Sequence, residues 1–144
     1  MQTTSILIAG LGGQGVIVAG SVLSCALVLA GSDVKTSCEK GIAQRSSPVL
    51  CHVRFGDRVY SPLAVNADYL LLLSPVCAAD HYLSPETRII KCSCRVPYPN
   101  MYLLGMLSRL LAPTHAMWAR AMESCIPGSF EASLACFRDG SQNS

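Results

Sequence analysis

A glycine-rich loop stands between a short apolar run and a long uncharged stretch, and this order restricts the possible folds more than any other feature. The apolar run covers residues 5–9, the loop residues 10–15 and the uncharged stretch residues 16–30. A short continuous apolar run is typical of a strand buried on both faces, and the later stretch has the length of a helix that stops at Gly31. The sequence therefore predicts strand, tight turn and helix, as at the start of an open α/β fold.

The distribution of charge excludes several classes of protein. Residues 1–32 contain no Asp, Glu, Lys or Arg, and over the 144 residues hydrophobic types make up 51% and charged types 14%. This composition excludes intrinsic disorder, and a net charge of +2 without a basic cluster argues against a nucleic-acid partner. The glycines interrupt the uncharged start and no cation precedes it, so we expect neither a membrane span nor a signal peptide. We expect a cytoplasmic protein.

The eight cysteines are interpreted as reduced thiols packed in the core. Most of them lie inside apolar runs, where a free cysteine packs as a small hydrophobic residue. No Cys-x-x-Cys is present, and the closest pair, Cys92 and Cys94, has the wrong spacing for a zinc or iron–sulfur site. We therefore expect no metal site and no disulfide framework, as is usual for a cytosolic protein.

The rest of the chain supplies further predicted elements. Residues 34–38 are predicted to form a second strand, which completes a strand–helix–strand unit. Residues 49–55 alternate in polarity and are predicted to return through a turn at residues 56–57 as an antiparallel hairpin with residues 58–60. The remaining predictions are strands at 69–73 and 88–92 and helices at 100–111, 114–125 and 129–138, with Thr114 and Ser129 as N-caps and Gly140 as a stop. The predicted fold class is a three-layer α/β/α, Rossmann-like mixed sheet with an antiparallel hairpin and C-terminal helices.

The glycine loop, Gly10-Leu-Gly-Gly-Gln-Gly15, matches the G-x-G-x-x-G pattern in its usual context after a strand and before a helix. Glycines let backbone N–H groups approach an anion, and the helix N-terminus favours negative charge. An acidic residue near the end of the second strand would complete a dinucleotide fingerprint, and Glu39 and Asp33 are candidates. A free-standing NAD(P)- or FAD-binding module is therefore one interpretation. The other is a turn that only permits close packing of helix on sheet.

A polar loop, residues 39–48, follows the second predicted strand. Arg45 offers a planar fork of donors suited to carboxylate or phosphate, and Ser46 and Ser47 add hydroxyl groups. Ligands of open α/β sheets bind at the carboxyl ends of strands, so this loop and the glycine loop are expected to meet there. The alternative is a solvated loop whose arginine forms a weak surface ion pair. The predicted ligand-binding residues are Gly10, Gly12, Gly13, Gln14, Gly15, Arg45, Ser46 and Ser47.

Several short motifs occur in a fixed order along the chain. They are Gly10-x-Gly-Gly-Gln-Gly15, Gly41-Ile-Ala-Gln-Arg45, Val53-Arg54-x-Gly56-Asp57, Tyr60-Ser-Pro62, Ala67-Asp68 before a run of leucines, Asn100-Met-Tyr-Leu-Leu-Gly105 and the stretch 131–140. This set resembles the gamma-type domain of the 2-oxoacid:ferredoxin oxidoreductases, which include the pyruvate, 2-oxoglutarate and 2-oxoisovalerate enzymes. The beta subunit of indolepyruvate ferredoxin oxidoreductase shares this domain. Because the resemblance spans nearly the whole chain, we predict a single gamma-type domain over residues 1–144.

The resemblance implies a subunit of a thiamine-diphosphate-dependent enzyme that decarboxylates a 2-oxoacid oxidatively to an acyl-coenzyme A. It implies that thiamine diphosphate and the [4Fe–4S] clusters lie on partner subunits, that this chain alone binds no cofactor and is inactive alone, and that coenzyme A is shared with a partner. The glycine and Arg45 loops would then hold coenzyme A phosphates or the substrate carboxylate. No residue of this chain is assigned a catalytic role, and His52, His81 and His115 are interpreted as surface or packing residues.

The expected partners are the larger catalytic subunits and, through the complex, ferredoxin. We expect a hetero-oligomer, with a dimer as the state of the isolated chain, because so few charges suit a permanent interface. The chain departs from the family pattern at Lys40, often a histidine, at Ser46-Ser47, usually two glycines, and at Ser133, usually an asparagine. The segment between residues 73 and 100 is also shorter. These departures leave a purely scaffolding paralogue as a third interpretation.

Overall fold

The computed structural model describes residues 3–40, 47–61, 66–75, 77–92 and 95–142. Their strands form one open sheet in the order β2-β3-β1-β4-β5, in which β1 pairs parallel with β4 and antiparallel with β3. β4 pairs parallel with β5, and β2 pairs antiparallel with β3. The elements are β1 (Thr4–Leu11), α1 (Val16–Leu29), β2 (Asp33–Lys40), β3 (Pro48–Gly56), β4 (Tyr69–Leu72), a 3₁₀ helix (Cys77–Tyr82), β5 (Arg88–Lys91), α2 (Pro99–Ser108), α3 (His115–Cys125), a second 3₁₀ helix (Pro127–Ser129) and α4 (Phe130–Gln142).

The sheet carries helices on both faces. The α-helices pack on one face, against side chains such as Ile6, Ile8 and Val53. The 3₁₀ helix Cys77–Tyr82 contributes Ala79 to a smaller apolar cluster on the other face, with Leu7, Leu50 and Leu70. The predicted fold class, a mixed α/β sheet followed by C-terminal helices, is confirmed.

The buried strand and the first helix agree closely with the sequence prediction. Ile6, Leu7, Ile8 and Ala9 are each no more than 1% exposed, as expected for a strand covered on both faces. α1 ends at Leu29, and Ala30 is its C-cap. The next residue, Gly31, has a φ of +94°, so this glycine stops the helix as predicted. No helix in the described part of the chain has both the length and the apolar composition needed to span a bilayer.

The predicted hairpin through residues 56–57 is wrong. Residues 57–60 form no strand, and β3 pairs instead with β1 on one side and β2 on the other. Both edges of β3 are therefore occupied, and the Val59 N–H donates to Asp33 Oδ2 at 2.7 Å, which ties the returning chain to the start of β2. The antiparallel pair of consecutive strands is β2–β3. β1 and β2 run parallel to each other, but β3 lies between them.

The C-terminal helices confirm one predicted boundary and correct another. Thr114 caps α3, since its Oγ1 accepts the Met117 N–H at 3.3 Å. The predicted stop at Gly140 is wrong, because α4 continues to Gln142. Gly140 instead faces α2 so closely that a Cβ atom there would overlap the Tyr102 carbonyl oxygen.

Six cysteine side chains are described, and none of the six is in a disulfide in this structure. They are Cys25, Cys38, Cys51, Cys92, Cys125 and Cys136. Their reduced state in the cell stays a prediction. Cys51 and Cys136 are buried and Cys38 is exposed. The thiols in the core pack as small apolar side chains.

Candidate functional site

The glycine loop turns the chain from the carboxyl end of β1 into the first turn of α1. Gln14 closes this turn, because its N–H donates to the Leu11 carbonyl oxygen at 3.1 Å and its Oε1 accepts the Leu11 N–H at 2.7 Å. Gly12 donates its N–H to the Ser47 carbonyl oxygen at 2.9 Å, so the loop is also tied to the start of β3. The Gln14 side chain thus stabilises the loop from within.

Two glycines of the loop adopt backbone conformations that are unfavourable for residues with a side chain. Gly13 has a φ of +89° and Gly15 a φ of +76°, both in the left-handed region. At Gly15 a Cβ atom would also lie 2.5 Å from Asn100 Nδ2, at the start of α2. The loop therefore depends on glycine for its conformation as well as for its small size.

Within the described part of the chain, the N-terminus of α1 is open. Gly15 is the N-cap, and no described side chain forms a capping hydrogen bond there. The N–H groups of Val16, Ile17 and Val18 have no hydrogen-bond partner among the described residues. Unpaired N–H groups and the positive end of the helix dipole form a ready site for an anion.

These groups line an open cleft of about 350 Å³. Among the described residues that line the cleft, Lys40 is the cation. Lys40 pairs with Val49 in the register of β2 and β3, and both lie on the sheet face that carries α1. A cation next to open helix N–H groups increases the attraction for phosphate or carboxylate. The lining residues are Leu11, Gly12, Gly13, Gly15, Val16, Ile17, Val18, Lys40 and Val49.

The structure separates the predicted ligand-binding residues into three groups. Gly12, Gly13 and Gly15 line the cleft. The second group supports the loop through close packing or backbone contacts and consists of Gly10, Gln14 and Ser47. The third group, Arg45 and Ser46, lies outside the described residues. Sequence reasoning missed Lys40, although the two-residue period of β2 could have placed it on the face of α1.

The acidic candidates for a dinucleotide site do not lie at the glycine loop. Glu39 lies on the opposite sheet face, where its Oε2 accepts the Tyr82 hydroxyl at 2.9 Å and contacts His52 Nε2 at 2.5 Å. Because β3 separates β2 from β1, Glu39 is also two strand spacings, about 10 Å, from the strand that carries the loop. Asp33 lies at the far end of β2. Neither residue completes the fingerprint.

His52 has a partner that the sequence does not reveal. It is 4% exposed, contacts the Glu39 carboxylate and stacks edge-on against the Tyr82 ring at 4.5 Å. The His52 hydrogen bond lowers the pKa of Glu39, and Glu39 in turn raises the pKa of Tyr82 by accepting its hydroxyl hydrogen. This group joins β2, β3 and the 3₁₀ helix Cys77–Tyr82 on the face away from the cleft.

A slightly larger cleft, of about 390 Å³, lies between β5 and α2. It is lined by Arg88, Lys91 and Arg109 together with apolar side chains such as Ile89. Its cations are on long exposed side chains, whereas the glycine cleft offers fixed backbone donors at a helix N-terminus. The glycine cleft is therefore the better organised anion site. Among the described residues, no group of three or more His, Cys, Asp or Glu side chains is arranged to hold a metal ion.

A family model and several relatives match the sequence of this chain. The family model for pyruvate ferredoxin/flavodoxin oxidoreductase matches residues 5–94. The chain is 38% identical over 78 residues to the indolepyruvate oxidoreductase subunit IorB of Pyrococcus horikoshii, over 53% of this chain and 39% of that protein. It is 33% identical over 101 residues to IorB of Archaeoglobus fulgidus, over 67% of this chain and 50% of that protein. The match thus spans no more than half the length of these relatives.

Solved structures share the fold along nearly all of the chain. The pyruvate oxidoreductase subunit PORC of Thermotoga maritima superposes with a TM-score of 0.75 at 21% identity, over 99% of this chain and 97% of that one. A keto/oxoacid ferredoxin oxidoreductase gamma subunit from Geobacter sulfurreducens gives 0.74 at 20% identity, over 99% and 96%. The 2-oxoglutarate:ferredoxin oxidoreductase of Magnetococcus marinus, solved with 2-oxoglutarate, coenzyme A and succinyl-CoA bound, gives 0.74 at 16% identity, over 99% of this chain and 31% of that one. With its matching family model and its gamma-subunit fold, the chain belongs to the pyruvate ferredoxin/flavodoxin oxidoreductase family.

Proposed function

We propose that this chain is the non-cluster, gamma-type subunit of a thiamine-diphosphate-dependent 2-oxoacid:ferredoxin oxidoreductase. The IorB relatives and the fold shared with gamma subunits support this assignment. The chemistry of decarboxylation would be supplied by thiamine diphosphate on a partner subunit, and the [4Fe–4S] clusters would lie on partners as well. The part of this chain is to bind and orient an anionic group next to that centre.

The observation that carries this role is the glycine cleft. Its open helix N-terminus and Lys40 suit the phosphates of coenzyme A or the carboxylate of a 2-oxoacid. With a volume of about 350 Å³ the cleft takes part of coenzyme A rather than the whole molecule, so the rest of the ligand would contact a partner. Lys40 and Ser47 both lie at the glycine loop, and the segment between them contains Arg45 and Ser46. We propose that Arg45 and Ser46 complete the site.

The surface for the larger subunit is, we propose, the outer face of α1. Ile17, Val18 and Val28 are 38%, 37% and 58% exposed on this helix, which contains no charged residue. A helix that is apolar all round normally is covered on all sides. Ile17 and Val18 also line the glycine cleft, so a subunit that covers α1 would lie against the ligand. The cleft would then be one half of a shared site.

Steady-state kinetics of the assembled complex test the ligand. We expect Lys40→Ala and Arg45→Ala each to raise the KM of coenzyme A or of the 2-oxoacid at least tenfold, since a hydrogen bond to a charged group contributes roughly 1.5–3 kcal/mol. The substrate whose KM changes identifies which anion the cleft holds. Lys91→Ala, a cation of the other cleft, is the matched control and is expected to leave both constants unchanged. If no substrate constant changes in either variant, the cleft is not the anion site.

Co-purification from the native host tests the partner. We expect the tagged chain to bring down a larger thiamine-dependent subunit, and Val28→Asp to reduce the yield of that complex at least tenfold by placing a charge in an apolar interface. Ala135→Asp, at an exposed position of α4, should leave the yield unchanged. Equal yields for the two variants would place the interface elsewhere. A stable complex with wild-type kinetics in Lys40→Ala and Arg45→Ala would instead favour a scaffolding role.

A further inference from the structure

Two cysteines face each other across neighbouring strands at the end of the sheet that carries the cleft. Cys38 of β2 and Cys51 of β3 are direct partners in the antiparallel register, and their Sγ atoms are 3.4 Å apart. The two sulfurs are hydrogen-bonded thiols at this distance, whereas a disulfide needs about 2.05 Å. Nothing in the anion-binding role of the cleft uses either thiol.

The backbone geometry of this pair is compatible with a covalent link. Directly opposed residues of antiparallel strands have Cα atoms about 4.5 or 5.5 Å apart, depending on the kind of pair. Both values lie within the range of about 4.4–6.8 Å that disulfides span. Because the two side chains already point to the same sheet face with their sulfurs in contact, a bond between them requires only a small side-chain movement.

The two thiols differ in their access to solvent. Cys38 is exposed, whereas Cys51 is 2% exposed and lies against α1 at Gly20, where any side chain would overlap its sulfur. Burial raises the pKa of the Cys51 thiol, and the contact with Cys38 adds to the shift. Cys38 is therefore the sulfur that a dissolved oxidant can reach, and Cys51 is the sulfur positioned to react next.

We propose that Cys38 and Cys51 form a reversible, oxidisable dithiol site whose oxidant is hydrogen peroxide. Cys38 Sγ attacks a peroxide oxygen, the O–O bond breaks, and a sulfenic acid and one water form. Cys51 Sγ then attacks the sulfenic sulfur, the S–O bond breaks, and the disulfide and a second water form. Each sulfur is oxidised by one electron, the peroxide takes up both electrons, and the thiol protons end in the two waters.

The disulfide would restrain the strands that carry the wall of the cleft. Lys40 and Val49 lie two residues beyond Cys38 and Cys51 on the same sheet face, and both line the cleft. The link would join β2 and β3 two residue pairs away from Lys40 and Val49, with only the pair Glu39 and Leu50 between. This inference concerns the thiols alone and stands whether or not the cleft binds coenzyme A.

Peptide mapping of the full chain tests the site directly. The reduced protein is treated with hydrogen peroxide, remaining thiols are alkylated, and the chain is cut with trypsin. Cleavage after Lys35, Lys40, Arg45 and Arg54 yields peptides 36–40 and 46–54, which contain one cysteine each. We expect these two peptides to appear joined, two hydrogens lighter than their sum, and to separate again after treatment with dithiothreitol.

Two variants provide the controls. Cys38→Ser changes an exposed side chain, and we expect it to abolish the joined peptide and to slow oxidation of Cys51 at least tenfold. Cys125→Ser leaves the pair intact and should behave as wild type. The proposal is overturned if 36–40 and 46–54 are not joined while Cys38 is oxidised to sulfinic acid. It is also overturned if Cys51 is oxidised as fast in Cys38→Ser as in wild type.

Discussion

Glycine has different tasks in two regions of this molecule, the cleft and the crossing of α2 with α4. In the cleft, Gly13 and Gly15 adopt positive φ angles and leave room above the start of α1. At the crossing, a Cβ atom on Gly105 would overlap the Phe137 carbonyl oxygen, and one on Gly140 would overlap that of Tyr102. The first pair allows a tight turn beside the cleft, whereas the second pair allows two helix backbones to touch. The same residue type therefore does not indicate the same role.

Helix α2 connects the two regions. Asn100, in its first turn, donates from Nδ2 to the Gly15 carbonyl oxygen at 3.3 Å and accepts the Met101 N–H at 2.9 Å. Gly105, one turn later, contacts α4. The position of the cleft thus depends on a helix that is itself fixed by close backbone packing. Substitutions in the two regions are expected to separate stability from binding.

The largest effect on stability is expected at the crossing. Gly140→Ala places a methyl group into the Tyr102 carbonyl oxygen, and backbone atoms cannot move aside as a flexible side chain can. We expect a loss of at least about 3 kcal/mol in the free energy of unfolding, measured by urea denaturation. Gly128→Ala is the matched control, because nothing lies within 4 Å of its Cβ position, and it should be neutral or slightly stabilising. Similar values for both variants would disprove the close crossing.

The contrast between these glycines also shows how far the sequence could be interpreted. The G-x-G-x-x-G pattern and the apolar run before it predicted β1, the loop and α1, because local periodicity and turn chemistry decide them. The insertion of β3 between β1 and β2 depends on pairing between distant segments, which alternation does not encode. A glycine late in a helical stretch, such as Gly140, looks the same whether it ends the helix or admits another backbone. The ligand site was predicted from two loops, and much of the second, residues 41–46, lies outside the described residues. The position of Lys40 and the partner of His52 depend on strand register, which the sequence pattern did not give.

An intermediate effect on stability is expected at Gly15, where both the positive φ and the lack of space for a side chain matter. Gly15→Ala forces a side chain into the left-handed region and against Asn100, and we expect a loss of about 2 kcal/mol in the free energy of unfolding. A double-mutant cycle separates the two causes. In an Asn100→Ala background the overlap is absent, so the added cost of Gly15→Ala should fall by about half. An unchanged cost would mean that Asn100 does not restrict this position.

A smaller effect on stability, with a larger one on binding, is expected at Gly13. Nothing lies within 4 Å of the Cβ position, so Gly13→Ala adds only the backbone strain of its φ of +89°, about 1 kcal/mol. The added methyl group would lie on the loop that lines the cleft. We expect the KM of the anionic substrate to rise at least fivefold in the assembled complex while the denaturation midpoint changes little. If binding and stability fall together, Gly13 serves the loop alone.

The smallest effect on stability is expected for Glu39, which contacts His52 and Tyr82 on the sheet face away from the cleft. The His52 hydrogen bond lowers the pKa of Glu39 below its ordinary value of 4.5, and the Tyr82 hydroxyl acts in the same direction. A carboxyl whose folded pKa is lowered adds stability above its unfolded pKa, and this stability is lost as the pH falls through the folded pKa. We therefore expect wild type to lose a small additional amount of stability, which Glu39→Gln lacks, as the pH falls from 5 through this lowered pKa, measured by urea denaturation at each pH. Because Glu39 lies across the sheet from the cleft, the KM of the anionic substrate should not change in this variant, and a change there would mean that the two faces of the sheet are coupled.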